Sequence, residues 1–509
     1  MTDTDTKVLA FPGSDCEIPR QVHVGEGQKY KAVEQIDALL AQLTRQRQLP
    51  LYKRGDALVE VGENNGRVVL REVEAPSLRQ TIDKAAECVR TGPQGEPVST
   101  DVPNEVVRRL LARLPHSRIP EVSALVTAPT LRADGSLIAG QGWDPKTAIY
   151  VAPSVTVPEL SSAPDRTDAL DALEALRKPL AEVPFQTSAD ECVILAAALT
   201  AVIRPVLPTA PLIGITATAA GTGKGELARY VAAIATGGPP SWLGQGGDTA
   251  ELEKRMDAML LHGDPVAVID NVERPLRSDK LCTLLTERTP RVRVLGQSKL
   301  RHLVNSSTLL ATGNALTPVG DLVRRSLLCR LDANMEDPHT RTFERTIEQQ
   351  AHDQRGDLLH AALTILRAYA AAGWPGSRRD MGSFEQWSAW VRSALIWLGL
   401  PDPCQTQDAL RAADPEREER HTVCAAWYAA FGSAEVEARD LVVQAQATDD
   451  DGNLHDALSG VCRSHQPASG PLGRWLRNQE GRVVGLRATE TGTEPVTLKL
   501  TKRRGRAGR

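Results

Sequence analysis

The sequence predicts an α/β protein built around a parallel sheet with helices on both faces. Short apolar runs alternate with helical segments between residues 211 and 332, which is typical of a parallel sheet. A glycine-rich turn that ends in a lysine joins one of these runs to an alanine-rich helix. The chain has 509 residues, and at roughly 150 residues per domain it has room for further domains beside this core.

Composition shifts along the chain divide it into six predicted segments. A stretch rich in Pro and Ser separates a small mixed segment from the apolar core. The predicted segments are an N-terminal α/β domain (1–152), a linker (153–165), the parallel-sheet domain (166–335), a helical connection (336–376), a C-terminal domain (377–501) and a basic tail (502–509). In the C-terminal domain, residues 472–477 followed by 482–484 have the pattern of a helix entering a β-wing, which predicts a winged-helix-like module.

The first of these segments carries signals for both helices and strands. The Asn65-Gly66 pair separates two strand-like runs, 57–61 and 67–70, and predicts a β-hairpin. Further strands are expected around the Asp134-Gly135 turn. Apolar residues at helical spacing predict helices here and later in the chain, over 32–48, 78–90, 103–114, 166–204 and 340–372.

Charge and composition limit the function classes. Lys and Arg number 60 and Asp and Glu number 64, which gives a net charge of -4. This balance excludes a surface that is basic throughout, so any contact with nucleic acid has to be local. Aromatic residues are only 4% of the chain, which leaves few rings for stacking on bases.

The eight cysteines are scattered, and no cysteine or histidine cluster has the spacing of a zinc site. Such a pattern fits a reducing compartment. The first 15 residues are polar and acidic and lack the apolar core of a signal peptide. The longest apolar run, 193–203, is too short to cross a bilayer and predicts a buried helix. We therefore expect a cytoplasmic protein with no membrane contact.

The glycine-rich turn has the pattern of a phosphate-binding loop. Glycines allow backbone N–H groups to curl around phosphate oxygens, the helix N-terminus adds partial positive charge, and Lys224 would reach the β- and γ-phosphates. Thr218 and Gly225 depart from the usual pattern, and Gly225 removes a hydroxyl ligand for magnesium that water could replace. The alternative is a glycine-rich turn that contains a lysine by chance. The predicted nucleotide-binding residues are Ala220, Gly221, Thr222, Gly223, Lys224, Gly225 and Glu226.

Two later strand-like runs end in polar residues. The run 265–271 ends in Asp270 and Asn271, and an aspartate at this edge of a sheet can hold magnesium through its water shell. Asn271 can orient water but cannot accept a proton, so Glu273 is the nearest candidate base. Asn314 ends the run 307–314, where its amide would contact the attacking water or the γ-phosphate. The alternatives are an aspartate that caps a turn and an ordinary asparagine turn.

Two basic segments complete the pattern. Arg324 and Arg325 precede the last strand, and one of them would stabilise transition-state charge at a neighbouring subunit, unless the pair is merely solvated or ion-paired. The segment 288–302 contains five basic residues and no acid, and it predicts a β-hairpin around residues 296–298. Such a hairpin suits phosphate contact in a ring pore, or its charges protect a sheet edge from aggregation. Its predicted DNA-binding residues are Arg293, Lys299 and Arg301.

Together these motifs resemble the AAA+ helicases of superfamily 3, specifically the primase/helicase group of phages, plasmids and mobile elements. The resemblance rests on GTGKGELA, VAVIDN, RVRVLGQSKL, LLATGN and DLVRRSLLCRLD, in that order. It implies a P-loop AAA+ core, a homo-hexameric ring, ATP and Mg²⁺ at subunit interfaces, and translocation on single-stranded or forked DNA. It leaves room for a separate primase as partner. The resemblance assigns phosphate contact to Lys224, magnesium to Asp270, the sensor position to Asn314, the arginine finger to Arg324 or Arg325, and the pore contact to Lys299.

The C-terminal third adds weaker signals. Aromatic and apolar residues between 384 and 398 fall on one helical face and predict a core stripe. Arg474 and Arg477 would either contact DNA backbone or form a solvated face. The acidic run 449–451 predicts a solvated loop, and no paired-carboxylate primase centre is evident. The tail 502–509 could contact phosphate without sequence preference.

Three functions fit this pattern. The first is an ATP-dependent replicative DNA helicase of a phage or mobile element. The second is a DNA-binding replication initiator or scaffold that uses ATP binding as an assembly switch. The third is a regulatory or defence NTPase that does not unwind DNA.

Overall fold

Close contacts group the described residues into two units. The computed structural model describes residues 21–479, apart from 65, 220, 247, 295, 297–298, 335–344, 413, 433, 435 and 448–452, together with the backbone of 483–489 and 492–497. The first unit comprises the residues up to Leu316 and Arg325–Thr406, and the second comprises Thr317–Arg324 and the residues from Gln407 onward. The finer division into six segments stays a prediction.

The N-terminal part of the first unit combines three helices with four small sheets, ordered β1-β5-β6, β2-β3-β4, β10-β11-β7 and β8-β9. The elements are β1 (Gln21–His23), α1 (Lys29–Arg45), β2 (Leu51–Arg54), β3 (Ala57–Asn64), β4 (Arg67–Glu72), α2 (Ala75–Ala85), β5 (Glu87–Thr91), β6 (Pro97–Ser99), α3 (Asn104–Ala112), β7 (Ala124–Val126), β8 (Thr130–Leu131), β9 (Leu137–Ile138), β10 (Gly142–Asp144) and β11 (Ile149–Val151).

Two local predictions in this part had different outcomes. The β-hairpin is confirmed, because Asn64 pairs with Arg67 and Gly66 takes a left-handed φ of 75°. The helix predicted over 78–90 is too long. It ends at Ala85, and β5 follows in parallel pairing with β1. Cys88 and Val89 are buried in that strand, so strand pairing outweighs the helical spacing of the apolar residues.

The central part of the first unit alternates strands and helices, as the sequence predicts. The run 193–203 lies in a buried helix, α5, as expected. The elements are α4 (Arg166–Arg177), α5 (Ser188–Ile203), β12 (Leu212–Ala217), α6 (Lys224–Thr236), β13 (Ser241–Gly244), α7 (Thr249–His262), β14 (Val266–Asp270), α8 (Asp279–Thr286), β15 (Arg291–Val294), β16 (Lys299–His302), β17 (Thr308–Asn314) and β18 (Ser326–Leu331).

Five of these strands form one fully parallel sheet in the order β13-β14-β17-β12-β18. This confirms an α/β fold with a sheet that suits a P-loop-like core. All side chains of β12 are buried, as expected when both faces of a strand are covered. Ala217 at the end of β12 pairs with Asn314 at the end of β17. The sheet therefore brings the ends of β12, β14 and β17 to one edge, where open α/β sheets bind ligands.

Helices complete the first unit. The predicted core stripe is confirmed, because Phe384, Trp387 and Val391 are fully buried and the indole N–H of Trp387 donates to Thr200 Oγ1 over 2.8 Å. A short π-helical turn, Ser388–Arg392, joins the last two helices. The helices are α9 (Ile347–Asp353), α10 (Arg355–Ala371), α11 (Glu385–Trp387) and α12 (Ser393–Trp397).

The second unit is mainly helical and has its own core, which includes Val423, Leu441, Leu458 and Leu472. A winged-helix arrangement of this unit stays a prediction. Its elements, the first of which begins at the last residue of the first unit, are α13 (Thr406–Ala412), α14 (Pro415–Phe431), α15 (Ala438–Ala447), α16 (Asn453–Cys462), α17 (Ser469–Gln479), β19 (Val483–Thr489) and β20 (Gly492–Thr497).

Within the described part of the chain, no helix is both long enough and apolar enough to cross a bilayer. The acidic run 449–451 and the basic tail 502–509 lie outside the described residues, as does Ala220 of the glycine-rich turn.

Candidate functional site

The glycine-rich turn joins β12 to α6 at the carboxyl edge of the parallel sheet. Gly221 and Gly223 have φ values of 75° and 100°, a left-handed conformation that glycine adopts without steric cost. Gly223 directly precedes the first residue of α6, and a Cβ placed on it would meet no atom within 4 Å. The turn is therefore shaped by its glycines, and it opens toward unfilled space at a helix N-terminus.

One backbone carbonyl holds this turn together from inside. The Thr222 hydroxyl donates to the carbonyl oxygen of Ala219 over 2.8 Å, and Nζ of Lys224 donates to the same oxygen over 3.2 Å. Thr222 is buried, so its hydroxyl is committed to the turn.

Lys224 also contacts the end of the neighbouring strand. Its Nζ donates to Oδ1 of Asn314 over 2.6 Å, which joins two predicted site residues that are 90 positions apart in the sequence. Partial burial lowers the pKa of the Lys224 ammonium, and the charge of Asp270 opposes that shift. A cation and an amide thus meet beside the opening of the turn.

Asp270 is held by Thr312, a residue that the motifs do not single out. The hydroxyl of Thr312 donates to Asp270 Oδ1 over 2.6 Å, and Thr312 Oγ1 in turn accepts the backbone N–H of Asn271 over 3.3 Å. Thr312 lies two residues before Asn314, so both side chains are on one face of β17. That spacing was the available sequence signal.

Asn271 and Glu273, the two residues predicted to orient or activate water, are hydrogen-bonded to each other. Nδ2 of Asn271 donates to Oε1 of Glu273 over 2.8 Å. Asn271 has a left-handed φ of 51°, which asparagine tolerates better than most residues. The turn after β14 runs so close to β17 that a Cβ on Gly313 would lie 2.4 Å from the carbonyl oxygen of Val272. Gly313 is therefore needed for this approach.

The first turn of α6 carries a second cluster, in which the predicted residues Gly225 and Glu226 lie beside Arg229, Trp242 and Glu348, none of which the motifs single out. A Cβ on Gly225 would lie 3.3 Å from Nη1 of Arg229, and the Arg229 guanidinium lies 5.2 Å from the ring centre of Trp242. Glu226 accepts from Arg229 over 3.2 Å and from the backbone N–H of Glu348 over 3.3 Å. The Glu226 carboxylate therefore bonds to Arg229 of its own helix, α6, and to the backbone of α9.

The two candidate finger arginines differ in their surroundings. Arg324 has an exposed side chain that forms an ion pair with Asp321. Arg325 donates from Nη1 to the carbonyl oxygen of Cys282 over 2.7 Å and to Thr286 Oγ1 over 3.1 Å. Arg325 therefore holds the C-terminal end of α8, where carbonyl groups carry partial negative charge.

The basic hairpin consists of β15 and β16, as the sequence predicts. Nζ of Lys299 lies 2.6 Å from Oδ2 of Asp56, and Arg301 donates to both carboxylate oxygens of Glu72 over 2.7 and 2.8 Å. Hydrogen bonding to Arg301 lowers the pKa of Glu72 below its usual range. The Arg293 side chain is exposed. Two of the three predicted DNA contacts are thus engaged by carboxylates of the N-terminal part.

The residues at the sheet edge fit a nucleotide with its metal. The turn and Lys224 present positive groups, and Asp270 presents a carboxylate. Within the described ranges, no group of three or more His, Cys, Asp or Glu residues could hold a metal ion. Magnesium commonly binds through one or two carboxylates, substrate phosphates and water, and Asp270 is the residue that would hold it.

Comparisons with known proteins show distant structural likeness only. No family model matches the chain, and no curated protein matches it. The apo structure of the NrS-1 C-terminal region is 11% identical, with a TM-score of 0.41, and the match covers 90% of this chain and 98% of that one. An SCCmec type IV Cch structure, described as an active helicase, is 11% identical, with a TM-score of 0.31. That match covers 76% of this chain and 74% of the other. A ligand-bound JCV helicase is also 11% identical, with a TM-score of 0.20. That match covers 46% of this chain and 74% of the other.

Proposed function

We propose that this chain is an ATP-hydrolysing motor, a replicative DNA helicase of a phage or mobile element that acts as a homo-hexameric ring in the cytoplasm. One observation carries the proposal. Lys224 and Asn314 meet over 2.6 Å at the sheet edge where the glycine-rich turn opens, and Asp270 lies on the strand beside Asn314. A cation, an amide and a carboxylate brought together there are the groups that phosphoryl transfer needs.

The proposed roles follow from the chemistry of each group. The ammonium of Lys224 binds phosphate oxygens, and the amide of Asn314 positions the attacking water or the γ-phosphate. Bound Mg²⁺ would neutralise the charge on the phosphates, with Asp270 as its protein anchor. Asn271 and Glu273 share a hydrogen bond at the same edge, so Glu273 is the candidate base with Asn271 as its partner.

The proposal also separates the two arginines. Arg325 is committed to the end of α8 within its own chain, whereas the exposed Arg324 can reach another subunit. We therefore assign the finger role to Arg324. A finger acts on charge in the transition state and requires that ATP lie between subunits.

A second candidate function is an ATP-dependent assembly switch in a replication initiator or scaffold. Gly225 supplies no hydroxyl to the metal, and Asn271 stands where many NTPases have an acid. Both departures favour slow hydrolysis. A regulatory or defence NTPase without unwinding has the same site requirements.

The deciding experiment measures ATP hydrolysis with and without single-stranded DNA, together with strand displacement on a forked duplex. Wild-type protein should show DNA-stimulated hydrolysis and unwinding, and Lys224→Ala should lose both. Lys254→Ala is the matched control, because Lys254 is an exposed lysine on α7. ATP-dependent assembly without DNA-stimulated turnover would exclude the helicase and favour the switch.

A further inference from the structure

The β15–β16 hairpin has two faces with different surroundings. In an antiparallel pair, residues directly opposite each other project to the same face. Arg291 pairs with His302 and Arg293 with Leu300, and these four residues form the outer face of the hairpin. All four are exposed, and the Leu300 side chain is among the most exposed large apolar groups of the described residues.

The inner face carries the alternate residues, Val292 with Arg301 and Val294 with Lys299. Val292 is completely buried, and the Arg301 side chain is only 9% exposed. Asp56 and Glu72, which belong to the N-terminal part, form ion pairs with these two cations: Asp56 pairs with both Lys299 and Arg301, and Glu72 pairs with Arg301. To bind phosphate, these two cations would have to leave their carboxylates. The Arg301 side chain would do so while only 9% exposed, whereas the Lys299 side chain is 45% exposed.

The turn between β2 and β3 fits closely against this inner face. A Cβ on Gly55 would lie 2.7 Å from the carbonyl oxygen of His302, so backbone meets backbone there without room for a side chain. Asp56 follows Gly55 directly and reaches Lys299 and Arg301 from that turn. The contact therefore sets which face of the hairpin points away from the protein.

Hydrogen bonds to Asp257 and Lys280 also fix the backbone of β15. The backbone N–H of Arg293 donates to Asp257 over 3.2 Å, and Nζ of Lys280 donates to the carbonyl oxygen of Arg291 over 2.6 Å. Lys280 and Asp257 form an ion pair with each other at 2.6 Å. These bonds use the backbone of the two arginines and leave their guanidinium groups exposed on the outer face.

We infer that single-stranded DNA binds the outer face, with its phosphates on Arg291 and Arg293, and that Lys299 and Arg301 instead hold the hairpin in place. The inference rests on the proposed DNA-acting function. The outer face offers two guanidinium groups and an imidazole with no carboxylate among its four residues, which complements a polyanion. Leu300 between them offers an apolar contact for a base or sugar.

Counterion release gives the expected size of the effect. Each phosphate contact on a single strand contributes about 0.7 to the slope of log affinity against log salt. Losing two contacts should reduce that slope by about 1.4, which corresponds to a roughly 25-fold weaker affinity at 0.1 M salt.

The test is the binding of labelled oligothymidylate to the full chain, followed by fluorescence anisotropy over a range of salt concentrations. The double variant Arg291→Ala/Arg293→Ala should show the weaker affinity and the smaller salt slope. Arg108→Ala/Arg109→Ala removes the same charge from exposed positions of α3 and is the control. Lys299→Ala should weaken binding much less than the outer-face variant. Thermal unfolding checks that each variant is folded.

The outcomes separate this inference from the proposed function. If wild type binds DNA and hydrolyses ATP while the outer-face variant binds equally well, the inference fails and the function stands. A larger loss in Lys299→Ala than in the outer-face variant would also overturn the inference. Wild-type protein that hydrolyses ATP but binds no oligothymidylate would overturn both the inference and the proposed helicase function. Tighter binding of oligouridylate than of oligothymidylate would overturn DNA as the ligand of the outer face and indicate RNA.

Discussion

At the scale of single residues, the candidate site depends on small polar side chains that fix larger ones. Thr312 is the clearest case, because its hydroxyl donates to Asp270 and accepts from the backbone of Asn271. Both bonds are partly buried, so leaving their partners unsatisfied is costly. The strand tip therefore presents Asp270 in a fixed orientation, as its proposed role in holding Mg²⁺ requires.

Thr312→Val should lower ATP hydrolysis and raise the Mg²⁺ concentration needed for half-maximal rate. The substitution keeps the shape but removes the hydroxyl, and it should also cost roughly 1–3 kcal/mol of stability. Thr312→Ser retains the hydroxyl and should behave like wild type in magnesium titrations. An unchanged magnesium requirement in Thr312→Val would show that Asp270 does not depend on this bond.

The two arginines predict a second residue-scale contrast. Arg324→Ala should slow hydrolysis by roughly 10³-fold with little change in unfolding temperature. Arg325→Ala should lower the unfolding temperature, because the end of α8 loses two hydrogen bonds. Mixing Arg324→Ala subunits with Lys224→Ala subunits should restore part of the activity. No recovery in the mixture would argue against a finger that acts between subunits.

At the scale of elements, the site results from parallel strands that end at one edge. The close approach of the turn after β14 to β17 is part of this geometry, since it brings the backbone N–H of Val272 within 2.8 Å of the carbonyl oxygen of Thr312. Only glycine at position 313 permits that distance. The relative placement of Asp270 and Asn314 therefore depends on a residue that carries no side chain.

Gly313→Ala should destabilise the protein by roughly 1–3 kcal/mol and reduce hydrolysis, because β14 and β17 must move apart. Gly460→Ala is the matched control, since its Cβ would meet open space on α16 and alanine favours helices. Thermal unfolding and ATPase rates measure both effects. Wild-type stability in Gly313→Ala would mean that the turn after β14 moves without cost.

At the scale of the first unit, buried arginines join the N-terminal part to the parallel-sheet part. Arg54 donates to the carbonyl oxygens of Leu261 and Leu260 over 2.6 and 2.8 Å, at the C-terminal end of α7. Arg355 of α10 donates to the carbonyl oxygen of Ile234 in the last turn of α6 and to Thr127 Oγ1 of the N-terminal part, each over 3.2 Å. Burial lowers the pKa of Arg54 to about 10, and the charge of Asp264 opposes that shift.

Arg54→Met should destabilise the first unit by roughly 2 kcal/mol, because two carbonyl groups lose a charged donor. The exposed Arg108→Met serves as the control. A drop in unfolding temperature confined to Arg54→Met would support this anchoring. Equal unfolding temperatures for the two variants would show that the arginine bonds contribute little.

Sequence alone determined the parallel sheet, the glycine-rich turn, the strand ends at Asp270 and Asn314, and the basic hairpin, because each depends on local periodicity or turn chemistry. It misjudged the helix over 78–90, where pairing with β1 decides the conformation. Only the tertiary structure decided which side chains meet. Contacts of Lys224 with Asn314, of Thr312 with Asp270 and of Arg301 with Glu72 join residues separated by 90, 42 and 229 positions, and no local pattern specifies such distances.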